Sequence, residues 1–336
     1  MSGYRKNIVM NEIRCGDAYT ELMKIDSDSV DLIITSPPYF GQRKYIPNVD
    51  EEIGTEKYIS DYLHNLFVIF SNCARVCKPT GNIIFNIGDK YIDGDLQLIP
   101  YRFALTVKEF MEEMKLINDI TWVKSNPTPR QYKRRLVSST EPFFHFVKSD
   151  DYYYNRDAFL VRENTLPKKI SPKKGAGYLE LIATSDLTDI EKYRARAGIA
   201  EALSELHRGE ITDFRMKIRG IHKKAFGGQS GGRNSQIELQ GYTIIKMHGN
   251  KIKRDAIETS VANTKNIDHP AVFPLKVIRE LILLLSAENN IILDPFCGSG
   301  QVCLAAKSLN RQYLGIDLNP EYCKATRERL INFPDK

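Results

Sequence analysis

The chain has 336 residues, 42% of them hydrophobic and 27% charged, with a formal net charge of +6. That is enough apolar material for one large α/β domain and a smaller inserted or appended one. No apolar run is long enough to span a bilayer, and Met1-Ser2-Gly3-Tyr4-Arg5-Lys6 lacks the apolar stretch of a secretory signal, so a soluble, cytoplasmic protein is expected.

The six cysteines show no C-x₂-C spacing, which argues for free thiols over a metal or disulfide framework; no metal is expected. The positive excess lies within residues 151–270, and the remainder of the chain is balanced. Such placement suits a segment facing phosphates, although scattered surface lysines give the same count.

In chain order, Ile13 to Asp17 reads as a strand ending in an acid, followed by a helical turn through Leu22. Asp17 either caps that helix or faces a ligand. Val30 to Thr35 then holds a buried apolar strand that stops at Ser36-Pro37-Pro38-Tyr39. Two prolines fix the strand exit in one extended shape and leave the Ser36 and Pro37 carbonyls without ladder partners. An oxygen-rich corner beside an aromatic plate suits a planar base with an exocyclic amino group. Ser36 Oγ and the Pro37 carbonyl would accept its protons while Tyr39 stacks. The plain alternative is a stiff turn.

The loop from Phe40 to about Thr55 carries Arg43 and Lys44 with aromatics and is a candidate DNA contact. Tyr58 to Cys77 has helical periodicity, ended by Lys78-Pro79-Thr80-Gly81; Asn82 to Ile87 is a strand closed by Gly88-Asp89. A helix over Pro100–Met114 and strands over Ile117–Val123 and Glu141–Val147 follow, with Trp122 and His145 expected to pack. Between those strands, Arg130, Lys133, Arg134 and Arg135 surround Tyr132, a candidate phosphate clamp.

Residues 156–265 interrupt the pattern and are assigned to target recognition, between halves at 1–155 and 266–336. Here Lys168, Lys169, Lys173 and Lys174 lie among prolines and glycines, and a glycine-rich stretch spans 227–234. Thr188-Asp189-Ile190-Glu191 reads as a capping box opening a helix to His207, with Ile190, Tyr193, Ala197 and Leu206 among its buried positions.

Beyond His269-Pro270-Ala271-Val272-Phe273-Pro274, a long apolar helix covers Leu275–Leu285. The strand Asn290–Leu293 runs into Asp294-Pro295-Phe296-Cys297-Gly298-Ser299-Gly300, then a helix over Val302–Leu309, a strand ending at Asp317 and a helix over Pro320–Leu330. Strand, glycine turn, helix, strand and acid form the layout of a nucleoside-cofactor site at the carboxyl edge of a parallel sheet. Gly298-x-Gly300 falls short of the full dinucleotide fingerprint, which disfavours an oxidoreductase.

Together the Ser-Pro-Pro-Tyr and Asp-Pro-Phe-x-Gly-x-Gly motifs, in this order, resemble the permuted β-type of S-adenosylmethionine-dependent DNA amino-methyltransferases. With Thr35 before Ser36, the sequence looks most like the N4-cytosine members. The resemblance implies a mostly parallel, Rossmann-like α/β methyltransferase sheet with helices on both faces and an inserted recognition region. It implies Ser36, Pro37, Pro38 and Tyr39 as catalytic residues. Asp294, Pro295, Phe296, Gly298, Gly300 and Asp317 would hold S-adenosylmethionine, with Phe273 as a wall, His269 beside it, and Asp17 towards the adenine end. Arg43, Lys124, Arg130, Lys133, Arg134 and Arg135 would meet double-stranded DNA. The implied partners are that DNA and a restriction endonuclease of the same site, for a monomer or homodimer. N6-adenine methylation by the same machinery, and a non-catalytic DNA-binding protein, are the alternatives.

Overall fold

Strands that are apolar at successive positions must be covered on both faces, and one eight-stranded sheet between two helical layers meets that demand. The structure is a computed structural model, describing residues 10–41, 52–127, 132–156, 160–162, 175–208, 210–222, 233–247, 250–252, 254–260 and 273–333. It divides into Met1–Phe159 with Arg254–Lys336, and Leu160–Lys253.

The first unit opens with β1 (Glu12–Cys15), α1 (Ala18–Leu22), β2 (Val30–Thr35), α2 (Ile59–Val76) and β3 (Cys77–Asn86). A hairpin of β4 (Tyr91–Ile92) and β5 (Asp95–Leu96), then α3 (Ile99–Phe110), β6 (Lys115–Lys124) and β7 (Thr140–Val147), complete its first part. The second unit contains β8 (Leu160–Arg162), α4 (Ala176–Thr184), α5 (Asp189–Arg208), β9 (Asp213–Ile218), α6 (Arg233–Gln240), β10 (Tyr242–Met247) and β11 (Asn250–Ile252). The chain returns to the first unit with β12 (Ala256–Thr259), α7 (Leu275–Leu285), β13 (Ile291–Asp294), α8 (Gln301–Ser308), β14 (Gln312–Asp317) and α9 (Pro320–Ile331).

The sheet order is β1-β14-β13-β2-β3-β7-β6-β12, and only β7 runs antiparallel to its neighbours. Alternate side chains of each strand enter opposite cores. Ile33, Ile83, Phe85, Phe144 and Phe146 pack with α1, α2 and α3, whereas Leu32, Ile34, Ile84 and Phe143 pack with α7, α8 and α9. Phe70 of α2 meets Phe85, Phe103 and Phe146 at centroid distances of 5.3, 5.7 and 5.0 Å. A fully buried ring of this kind contributes roughly 1.5–3 kcal/mol.

From β13 the chain turns one way, through α8 to β14; from β2 it turns the other, through α2 to β3. The crevice outside the carboxyl ends of β13 and β2 is therefore a topological switch point, where open α/β sheets bind ligands. Two side chains fasten this junction between distant parts of the sequence. Asp31 Oδ2 accepts from the Ile291 amide at 2.9 Å, and Thr35 Oγ1 donates to Asp294 Oδ1 at 2.7 Å.

Several expectations need amendment. The helix before residues 78–81 ends at Val76 as expected, but those residues form an irregularity within β3 rather than a turn, and pairing with β2 resumes at Asn82. On α5 the capping box forms, with Glu191 accepting from the Thr188 amide at 2.8 Å and Thr188 Oγ1 accepting from the Glu191 amide at 3.3 Å. The buried stripe is Ala195, Ile199, Ala202 and Leu206, however. Of the four expected residues only Leu206 is inside, while Ile190, Tyr193 and Ala197 are exposed. The small alanines share one core with Phe214, Met216 and Ile218 of β9 and with Tyr242 and Ile244 of β10.

The second unit is also narrower than 156–265, because β12 pairs in parallel with β6. Lys168, Lys169, Lys173, Lys174 and residues 227–232 lie outside the described residues.

Candidate active site

Ser36, Pro37 and Pro38 leave the carboxyl end of β2, and Asn86 ends the adjacent β3. Ser36 Oγ lies 3.1 Å from Tyr39 Oη and 3.4 Å from Asn86 Oδ1. Tyr39 Oη in turn lies 2.8 Å from Asn86 Oδ1 and 3.2 Å from Glu141 Oε2, at the start of β7. The chemistry of the acceptors fixes the direction of this chain. Asn86 Nδ2 donates to the Pro142 carbonyl at 2.9 Å, which turns its oxygen towards Tyr39. A carboxylate and an amide oxygen can only accept, so the tyrosine proton goes to them and the serine proton goes to Tyr39 or Asn86. Both Ser36 lone pairs are then left to accept from something else. Burial, with the Glu141 charge beside it, pushes the Tyr39 hydroxyl well above the ordinary phenol range, so it stays protonated and donating.

Among the described residues no hydrogen bond engages the Pro37 carbonyl, whereas that of Pro38 accepts from Tyr62 Oη at 2.8 Å. The corner thus offers a hydroxyl oxygen and a carbonyl oxygen, both as acceptors. Tyr39 is held from behind by Gly88: a Cβ on that glycine would sit 2.3 Å from ring carbons Cδ2 and Cε2. Gly88→Ala is expected to displace the ring and lower kcat by about 100-fold, because small misplacements at a reacting centre cost that much. Cofactor affinity should hold; steady-state kinetics beside a binding titration separates the two, and a parallel loss of both would contradict it.

Across the switch point, Asp294 Oδ1 accepts from Thr35 Oγ1 and from the Phe296 amide, leaving Oδ2 out of both bonds. The residue is 2% exposed, and burial, with a smaller contribution from Asp317, raises its carboxyl to about 7. Among the described residues no lysine or arginine pairs with it.

The glycine turn that follows is braced from two sides. Asp317 Oδ2 accepts from the Gly298 amide and Oδ1 from the Asn319 amide, each at 2.8 Å; Thr326 Oγ1 donates to the Gly298 carbonyl at 2.8 Å. Gly300 has φ +76°, and a Cβ there would meet Thr326 Cγ2 at 2.3 Å, so only glycine fits. Pro295 is buried behind this turn, and Phe296 packs against the core shared with α2.

A family model described as DNA methylase, of the N6/N4 type, matches residues 30–328. The chain belongs to this family of DNA methylases. It is 28% identical over 344 residues to the Type II methyltransferase M.Cfr9I of Citrobacter freundii, covering 94% of this chain and 86% of that protein. To the Type II methyltransferase M.SmaI of Serratia marcescens it is 24% identical, covering 97% and 92%. Its fold matches that of PvuII DNA methyltransferase (cytosine-N4-specific), with a TM-score of 0.59 at 15% identity and coverage of 94% and 85%. It also matches M1.HpyAVI in its SAM complex, with a TM-score of 0.52 at 20% identity and coverage of 95% and 98%. The expected α/β sheet with helices on both faces is the observed one.

The other expected site residues of this methylase fall into several settings. Asp17 is exposed and caps α1, accepting from the Thr20 amide at 2.8 Å and Thr20 Oγ1 at 2.9 Å. Asp89, ten residues upstream, accepts from the Ile99 amide at the start of α3 at 3.1 Å. Phe273 stacks on Phe143 of β7 at 5.7 Å, and Trp122 is core. His145 packs on Asn82 Oδ1 at 2.8 Å, and burial lowers its value to about 4, so it is neutral.

Lys124 is paired with Glu141 and lies 4.9 Å from the Trp122 ring centroid. The register pairing Trp122 with Glu141 brings them together. Lys133 and Arg134 are exposed, while Arg135 is stacked between aromatic rings. Arg43, Arg130 and His269 lie outside the described residues.

Asn86 and Glu141 are the participants missed in the sequence, and only their position at strand ends signalled them; Lys124 is expected at the DNA and Thr35 only as part of the motif, without their partners Glu141 and Asp294. No helix among the described residues is long and apolar enough to cross a membrane.

Proposed function

We propose that this methylase transfers a methyl group from S-adenosylmethionine to the N4 amino group of cytosine within a specific duplex sequence, as the modification half of a restriction–modification pair. The observation that carries the reading is the directed chain Ser36, Tyr39, Asn86 and Glu141, which leaves the Ser36 oxygen as an acceptor beside the Pro37 carbonyl. The target base leaves the stack to reach this corner. Its amino hydrogens are accepted by Ser36 Oγ and the Pro37 oxygen, which localises the nitrogen lone pair, and Tyr39 stacks on the ring. The hydroxyl form of the corner, Thr35-Ser36-Pro37-Pro38, is what favours cytosine over adenine. The unit Leu160–Lys253 is assigned to target recognition.

The donor set fits the cofactor. A buried carboxyl without a cationic neighbour suits the ammonium group of its methionine portion, and Asp294 is such a group. Both Asp317 oxygens hold backbone amides yet retain lone pairs for ribose hydroxyls. When bound, the sulfonium supplies an activated methyl and its own leaving group.

A pH dependence follows from Asp294. A ligand ammonium binds its ionised form, so below about 7 binding must first expel a proton. Cofactor affinity is expected to rise with pH up to about 7 and flatten above, by at most tenfold per unit. Without ligand the sign is opposite. The folded carboxyl keeps its proton above its unfolded value of about 3.9, so the contribution of Asp294 to stability falls between there and about 7. Calorimetric titration across this range checks the first statement, and a flat profile would refute it.

The function itself is tested by transfer of labelled methyl from S-adenosylmethionine to unmethylated genomic duplex, with RNA as control. Label in duplex DNA alone is expected; label in RNA, or none in either, would overturn the proposal.

A further inference from the structure

The guanidinium of Arg135 lies 3.6 Å from the ring centroids of both Tyr91 and Tyr132. That is van der Waals contact, so both rings line the space that this one planar group fills. Tyr91 belongs to the hairpin that follows the carboxyl end of β3, and Tyr132 to the connection that leaves the carboxyl end of β6. The slot therefore stands on the same sheet edge as Ser36.

Arg135 fills it at a cost. Its Nη1 is buried and makes no hydrogen bond among the described residues, and an unpaired buried donor is unfavourable, more so when charged. Any planar group that matched this stacking without a buried charge would displace it readily. The freed arginine would then join exposed Lys133 and Arg134, three cations in one short segment.

We propose that Tyr91 and Tyr132 form a binding slot for an unstacked nucleobase of the DNA substrate, with Arg135 as its placeholder in the free protein and a phosphate ligand once displaced. The proposal rests on the DNA-modifying function above and deepens it by assigning, on the same sheet edge as the Ser36 corner, a second point at which an unpaired base is held. Sequence preference is not required of it, because every base has a stacking face.

The test measures binding of a fluorescent single-stranded DNA of mixed sequence and of an all-abasic strand of equal length, which has the phosphates without the bases. The wild-type protein is expected to bind the base-bearing strand about tenfold more tightly or better, a difference that needs no variant to measure. Tyr91→Ala and Tyr132→Ala should each remove most of that difference while changing abasic binding by less than about twofold. Tyr91→Phe should retain it. Arg135→Ala should keep the difference and weaken both strands alike, with a reduced dependence on salt.

The slot is refuted if wild type binds both strands equally, if the tyrosine variants weaken both equally, or if Arg135→Ala abolishes the base-dependent part. Methyl transfer to duplex DNA by the wild type is scored separately. Its failure with the slot results intact would count against the proposed reaction and not against the slot.

Discussion

Ser36→Ala is expected to lower kcat by about 100-fold or more while leaving S-adenosylmethionine affinity within about twofold, the scale seen when one preorganised polar group at a reacting centre is removed. Two effects add. The acceptor for the amino hydrogen is lost, and so is the donor at 3.1 Å that orients the Tyr39 hydroxyl. Neither loss touches the Asp294 side of the switch point, where the contacts come from Thr35 and the Phe296 amide. Single-turnover methylation beside a cofactor titration separates the effects. Equal losses of turnover and affinity would mean that Ser36 merely supports the fold.

Asp294→Asn is expected to do the reverse. Asparagine keeps an oxygen that can accept from Thr35 and the Phe296 amide, so the fastening of β2 to β13 survives. The charge does not. Loss of a charge-assisted contact to the cofactor costs about 1.5–3 kcal/mol, roughly ten- to a hundredfold in affinity. The free protein should meanwhile be as stable at pH 8 as the parent or more so, because burying an ionised carboxylate with no cation beside it is unfavourable. Titration and thermal melting together check this. A variant that melts early and binds the cofactor normally would show that the carboxylate serves the fold alone.

What could be read in the sequence is what chemistry keeps local. The Ser36–Tyr39 corner and the Asp294–Gly300 turn are contiguous because a rigid strand exit and a glycine turn are each made by neighbouring residues. Their order along the chain was enough to place them on one sheet. Contacts set by register were not readable. Thr35 bonds Asp294 and Asp31 bonds the Ile291 amide across the sheet, and nothing local to either acid names its partner. The same holds for Asn86, Glu141 and Lys124, which come from three strands and meet only once β3, β7 and β6 lie side by side.

The smaller unit shows a different failure. Phe214, Met216 and Ile218 alternate as a strand should, a signal present in the sequence but set among basic residues. On α5 the large Tyr193 is exposed and the small Ala195 is buried, because close packing against a sheet selects for size as well as polarity.

The most direct measurement is the identity of the modified nucleoside. DNA treated with the protein and S-adenosylmethionine is digested and its nucleosides separated by mass spectrometry. N4-methylcytosine is the predicted product, formed about 100-fold more slowly or worse with Ser36→Ala. N6-methyladenine would retain the amino-group corner and contradict its assignment to cytosine. The absence of any methylated nucleoside, with cofactor binding intact, would contradict the account of the corner itself.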